Sequence, residues 1–239
     1  MKRIEILGLS TTYSDEGKGN VLLFLHGWGG SAKSFDSIKN LLPGRKICLD
    51  LWGFGGSSPP SEAWGVADYA RAVYFFIRKL NLESVSVVSH SFGGRIAVTL
   101  SALYPHCVKR LVLLSAAGFR TKNLSVRFRI FVYKAAKSLK KRGFRVKIPD
   151  FSSSDYKSTP MKSTFLRVVG EDLSPLAAKI TAPTLLVYGK SDKATPPSFC
   201  RRYARLIRNS EAFVIRGSHF VMDDSPFEVA SLINGFLPS

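Results

Sequence analysis

Three side chains far apart in the 239-residue chain, Ser91, Asp192 and His219, are of the types that together make an acyl-transfer centre. Ser91 stands in Val85-Ser-Val-Val-Ser-His-Ser91-Phe-Gly-Gly-Arg95, a buried-strand pattern that runs through a tight turn into helical spacing. A serine at such a turn is held in a strained conformation that pushes its hydroxyl out at the top of a sheet. Small residues two before and two after it let the strand and helix approach each other. Gly93 meets the second requirement, and Ser89 replaces the usual first glycine at a small cost in room. An ordinary glycine-rich turn would look alike locally; the strand-turn-helix context favours a nucleophile.

A serine hydroxyl attacks only when a base takes its proton. The chain has four histidines. His90 adjoins Ser91 and should point away from it, His106 follows a helix beside Pro105, and His26 opens His-Gly-Trp-Gly-Gly, which suits loop bracing. His219 remains, in Gly217-Ser-His-Phe between the strand Glu211–Ile215 and the last helix. The base in turn needs a carboxylate to fix its tautomer and stabilise its charged form. Asp192, in Gly189-Lys-Ser-Asp-Lys-Ala-Thr-Pro196, follows the strand Thr184–Tyr188; on local grounds a turn aspartate or helix cap is an equally good reading. Asp223 and Asp224 read as caps for the closing helix.

The elements that must position these residues alternate in type. Val21–Leu25, Lys46–Leu49, Ser84–Val88, Arg110–Leu114 and Thr184–Tyr188 are apolar runs, as strands buried on both faces require. Helical spacing marks Phe35–Leu42, Asp68–Leu80, Phe92–Leu103, Ser198–Ile207 and Pro226–Phe236. This alternation predicts an α/β fold with a mainly parallel central sheet and helices on both faces, and Arg3–Leu9 as an antiparallel edge strand. It breaks once. Phe119 to Pro149 carries eleven Lys or Arg and no acid, the polar stretch Ser152–Ser163 follows, and the strand pattern resumes after Pro183. The expected division is a first core part over 1–117, a short, basic, helical cap over 118–172, and a second core part over 173–239. Such a cap would cover the sheet's carboxyl edge, where ligands bind in open α/β sheets.

Composition bounds the rest. A hydrophobic fraction of 45% supports a real core, and the length suits one undivided α/β domain. Three widely spaced cysteines, Cys48, Cys107 and Cys200, argue against a disulfide framework and a zinc site. With Glu5 interrupting the apolar N-terminal stretch, they point to a cytoplasmic protein without a signal peptide or membrane span. The 35 Lys+Arg against 17 Asp+Glu, a formal +18, favour anionic partners without choosing among them. The basic insert repeats apolar residues at helical spacing from Phe128 to Leu139. Packing of a cap helix on the core is favoured over peripheral contact with anionic membrane and over recognition of an acidic substrate. No nucleic-acid-binding motif is present. Gly53-Phe-Gly-Gly56 lacks the spacing and following helix of a phosphate site, and no cofactor or metal is expected.

Over essentially its whole length the chain resembles the α/β-hydrolase superfamily, whose Ser…Asp…His order it shares. It is most similar to the small bacterial esterase and C–C hydrolase branch with a cap between two core halves. His26-Gly-Trp-Gly-Gly30 matches that branch's oxyanion-loop motif, and Asp50-Leu-Trp-Gly-Phe-Gly-Gly-Ser57 matches its second glycine-rich motif, with Trp52 where proline is usual. The resemblance implies an oxyanion hole made by the backbone N–H groups of Trp28 and Phe92. Serine rather than aspartate at position 91 points to acyl transfer, with a small or medium ester as the expected substrate. The alternatives are a C–C bond hydrolase, or a lyase of the menaquinone-pathway kind, whose elbow also carries an arginine after two glycines. A ligand-binding or membrane-surface protein that keeps the fold without turnover is the reading outside enzymes.

Overall fold

The structure, a computed structural model, describes residues 1–120 and 160–237. Among these residues eight strands, β1 (Lys2–Ile6), β2 (Leu9–Glu16), β3 (Val21–Leu25), β4 (Arg45–Leu49), β5 (Val85–His90), β6 (Val108–Leu114), β7 (Thr184–Gly189) and β8 (Ser210–Ile215), form one sheet. Their order is β1-β2-β4-β3-β5-β6-β7-β8. The β1–β2 and β2–β4 pairs are antiparallel and the remaining pairs are parallel. The described helices are α1 (Val66–Lys79), α2 (Phe92–Leu103), α3 (Pro160–Gly170), α4 (Ser174–Ala177), α5 (Pro197–Leu206), α6 (Val221–Asp224) and α7 (Pro226–Phe236).

The apolar runs of the central strands are divided between two cores by their alternation. Leu23, Leu25, Val85, Val87, Leu111, Leu113 and Leu186 face one core with Phe76 of α1, Ile96 of α2 and Tyr203 of α5. Leu22, Phe24, Val88, Val112, Leu114, Leu185 and Val187 face the other with Phe35, Ile38, Val229 and Ile233. Every residue of β5 and β7 is buried, because helices cover both faces of those strands.

Two local expectations are corrected. Phe35–Leu42 is two short 3-10 turns, Ala32–Phe35 and Lys39–Leu41, rather than one helix. The apolar spacing is real, since Phe35, Ile38 and Leu42 are buried, but i, i+3 repeats serve a 3-10 turn as well. Side chains here also bond away from a regular helix: Ser31 and Ser34 close a capping box, and the Ser37 hydroxyl donates to Asp223 at 2.8 Å. The edge strand ends at Ile6 instead of Leu9. Leu7 and Gly8 both adopt positive φ, of 51° and 76°, and reverse the chain into β2, whose polar sequence hid it.

Of the expected cap, residues 118–120 and 160–172 are described; the basic stripe Phe128–Leu139 lies outside the described residues. Helix α3 begins inside the stretch read as polar and buries Phe165 and Val168. The chain before and after the undescribed segment is tied together. Leu173 N–H donates to Gly118 O at 2.8 Å, and Arg120 Nε–H donates to Gly170 O. Buried Arg95 donates to Glu171 O at 2.9 Å, and the Arg202 guanidinium lies 4.2 Å from the centre of the Phe119 ring. Among the described residues no helix is long and apolar enough to cross a membrane.

Candidate active site

Strand β5 delivers Ser91 to the carboxyl edge of the sheet and α2 starts immediately after it. The chain can turn this sharply because Ser91 takes φ 51° and ψ −108°, a region that costs a non-glycine residue about 1–3 kcal/mol. Ser91 N–H donates to Leu114 O at 3.1 Å, and Ser91 O accepts from Ala117 N–H at 3.0 Å, so the end of β6 and the loop that follows it hold the strained residue on both sides. Gly93 is required by space: an added Cβ would lie 2.0 Å from Leu25 O and 2.8 Å from His26 O. Ser89 is accommodated because its hydroxyl donates to Val112 O at 3.0 Å, which leaves no buried polar atom unmatched there.

The loops after β7 and β8 bring Asp192 and His219 to Ser91. His219 Nε2 is 2.8 Å from Ser91 Oγ, and His219 Nδ1 is 2.8 Å from Asp192 Oδ2. The three residues are 2–4% exposed, so the line is shielded from bulk water. The carboxylate divides its work between its two oxygens. Oδ1 accepts from the N–H groups of Ala194 and Thr195 at 2.7 and 2.9 Å, and Oδ2 faces the imidazole. Thr195 Oγ1 stands 2.6 Å from Oδ2, 2.9 Å from Ser115 O and 3.0 Å from His219 Nδ1. Burial pushes the Asp192 carboxyl up, but its hydrogen bonds to His219 and Thr195 outweigh burial and hold it below the usual carboxylate range. A carboxylate ionised on Nδ1 makes that nitrogen the donor, which leaves Nε2 free to take the Ser91 proton.

The loop His26–Gly30 lies against this line. Its brace is His26, whose Nδ1–H donates to Gly27 O at 2.7 Å and whose Nε2 accepts from Leu51 N–H at 2.9 Å. Complete burial pulls His26 down to about 4, so it remains neutral in that role. Among the described residues the backbone N–H groups of Trp28 and Phe92 have no hydrogen-bond partner. Phe92 opens α2, where no intrahelical acceptor exists. The Trp28 ring packs edge-on against Phe54, Phe92 and Phe165, with centroids 4.9–5.1 Å apart. The second glycine-rich motif is a brace as well. Asp50 Oδ1 accepts from Ala32 N–H at 2.6 Å and Oδ2 from Gly56 N–H at 2.8 Å. Trp52 fits without the usual proline because its indole N–H donates to Thr11 Oγ1 at 3.0 Å.

The expectation that Asp223 and Asp224 cap the closing helix is corrected. Asp224 Oδ2 accepts from both the N–H and the hydroxyl of Ser218 at 2.6 Å, fixing the residue before His219, and Ser37 bonds Asp223. Ser225, not either aspartate, precedes α7. Two contributors escaped the sequence reading, Thr195 and His90, since each acts across more than twenty residues of chain. Thr195 carried a weak signal, standing three residues after Asp192 as the second partner in an aspartate turn. Among the described residues no group of three or more His, Cys, Asp or Glu could hold a metal ion.

Comparison with known proteins agrees with this fold. A family model described as alpha/beta hydrolase fold matches residues 20–142. The chain is 27% identical to 2-hydroxy-6-oxo-6-(2'-aminophenyl)hexa-2,4-dienoic acid hydrolase of Metapseudomonas resinovorans, across 96% of this chain and 88% of that one. Among solved structures it superposes on a meta-cleavage product hydrolase from Pseudomonas fluorescens with TM-score 0.81 at 22% identity, covering 99% and 97% of the two chains. A thermophilic esterase from Thermogutta terrifontis gives TM-score 0.77 at 19% identity, covering 98% and 97%. With a family match over more than half its length and the fold reproduced by solved hydrolases, this chain belongs to the α/β-hydrolase family.

Proposed function

We propose that this protein is a serine hydrolase that cleaves a small or medium ester through an acyl-enzyme. One observation carries the proposal: Ser91, His219 and Asp192 form an unbroken buried line of 2.8 Å contacts ending at a strained serine. In the first step Ser91 Oγ attacks the substrate carbonyl carbon while its proton passes to His219 Nε2. Negative charge builds on the carbonyl oxygen, and the N–H groups of Trp28 and Phe92 receive it; one such donor is typically worth about 10²–10³ in rate. Collapse of this intermediate expels the alcohol, which takes the proton from His219. Water then attacks the Ser91 acyl carbon with His219 again as base, releasing the acid and restoring the hydroxyl. Asp192 stays ionised throughout, holding the imidazole and stabilising its positive form.

The dienoic acid hydrolase relative supports a second reading, hydrolysis of a carbon–carbon bond beside a ketone by the same groups. The deciding experiment pairs a fluorophosphonate probe with a panel of esters of increasing acyl length and one vinylogous diketone acid. Labelling of wild type but not Ser91→Ala supports Ser91 as the nucleophile, and turnover of esters over the diketone selects the first reading. Labelling that survives Ser91→Ala and vanishes in Ser89→Ala would overturn the assignment.

A further inference from the structure

Two other histidines lie in the same buried region, and the catalytic cycle assigns a task to neither. His26 is accounted for by the loop it braces. His90 is not. It ends β5, directly before Ser91, and is 2% exposed. Its Nε2 is 2.8 Å from the main-chain oxygen of His219, and its ring centroid is 4.8 Å from the His219 ring. On its other side, Nδ1 is in contact with Gly27: a Cβ added there would come within 2.9 Å of that nitrogen. The same added Cβ would meet Ser91 Cβ at 3.4 Å, so Gly27, His90 and Ser91 are packed together. One side chain therefore touches the turn of the nucleophile, the loop of the base and the loop that carries the Trp28 N–H.

We propose that His90 is a positioning residue that holds the His219 loop and the His26–Gly30 loop in register with Ser91. It does so as a neutral hydrogen-bond donor to the His219 main chain and as a spacer against Gly27. Burial is the main cause that pulls His90 down to about 3, so the ring carries a single proton; facing a carbonyl, that proton sits on Nε2. Wherever its side-chain torsions set it, the His219 ring moves with its backbone, and the bond from His90 anchors that backbone. Without it, the His219 carbonyl is a buried acceptor lacking this donor, and the loop relaxes toward some other one. A displacement of about 1 Å at a reacting group can cost about 10²-fold in rate. The inference rests on the serine-hydrolase reading of the site.

Two amides of different reach separate donor placement from packing. His90→Gln carries an N–H about as far from the backbone as Nε2, whereas the N–H of His90→Asn reaches only as far as Nδ1. On an activated ester, the Gln variant should keep kcat within about threefold of wild type, and the Asn variant should lose about 10- to 10²-fold in kcat with KM nearly constant. Both are normalised to the fluorophosphonate-labelled fraction. Equal kcat in the two variants, whether both active or both impaired, would overturn the proposal. So would an Asn variant whose loss lies wholly in melting temperature, since His90 would then serve the fold alone. Ser91→Ala assayed alongside keeps the two readings apart. Activity in that variant would sink the nucleophile assignment, while an inactive Ser91→Ala beside a fully active His90→Asn would sink only the role given to His90.

Discussion

Gly93→Ala adds one methyl group at the place where the nucleophile helix crosses the strand leading to the oxyanion loop. The new Cβ would stand 2.0 Å from Leu25 O, 2.6 Å from Leu25 C and 2.8 Å from His26 O. The nearest contact is a full ångström inside the 3.0 Å limit that Cβ atoms respect, and all three obstacles are backbone atoms that cannot rotate away. The helix must move off β3, carrying the Phe92 N–H with it, while Trp28, two residues past His26, stays with the strand. The two proposed oxyanion donors then separate by a distance on the scale that costs about 10²-fold in rate. Overpacking of this kind also costs about 1–3 kcal/mol of stability. The assay is kcat/KM on an ester with the melting temperature of the same sample. Gly235→Ala serves as control: this α7 glycine has nothing within 4 Å of an added Cβ, so activity should be unchanged. A Gly93→Ala enzyme with wild-type kcat/KM would refute the argument that this crossing sets the geometry of the site.

Other expectations follow from the charges. Asp192→Asn should keep the fold and lower kcat by up to about 10⁴, because an amide can hold the imidazole in the wrong tautomer; a pre-steady-state burst assay reports the loss. Asp15 is held down to about 2, first by its hydrogen bond from Arg45 and also by Lys2. Its folded value lies below its unfolded value, so its contribution is present above about pH 4 and lost as pH falls toward 2. Asp15→Asn should therefore destabilise by no more than about 1 kcal/mol at neutral pH, with the difference from wild type closing below pH 4 in denaturant titrations.

The sequence disclosed the parts of the site that depend on local chain geometry. The Ser91 turn was legible because strand, glycine pair and helix must follow one another within a dozen residues. Asp192 admits two readings, turn residue and partner of the base, and its two oxygens have contacts that suit each: Oδ1 accepts from the N–H groups of the turn and Oδ2 lies 2.8 Å from His219 Nδ1. What stayed hidden depends on contacts across the sheet. Nothing beside His90 in the chain reveals that the His219 carbonyl will lie 2.8 Å away, because their meeting depends on the order of β5, β6, β7 and β8. Strand β2 was lost for a different reason. At the sheet's margin its partly exposed residues need not be apolar, and Thr11 and Thr12 are buried only by satisfying their hydroxyls against Leu9 and Gly56.

The bonds that join Gly118 to Leu173 and Arg120 to Gly170 close the chain around residues 121–169, so the main body of the fold is held together on both sides of that stretch. A segment bounded by residues that are already bonded to each other can be lengthened at little thermodynamic expense, since doubling a loop costs only about 0.6 kcal/mol in closure entropy. The sheet and the loops around Ser91 can therefore persist while residues 121–159, which precede the packed helix α3, are exchanged. A chimera in which residues 121–159 come from another hydrolase of this family is the natural way to observe that freedom.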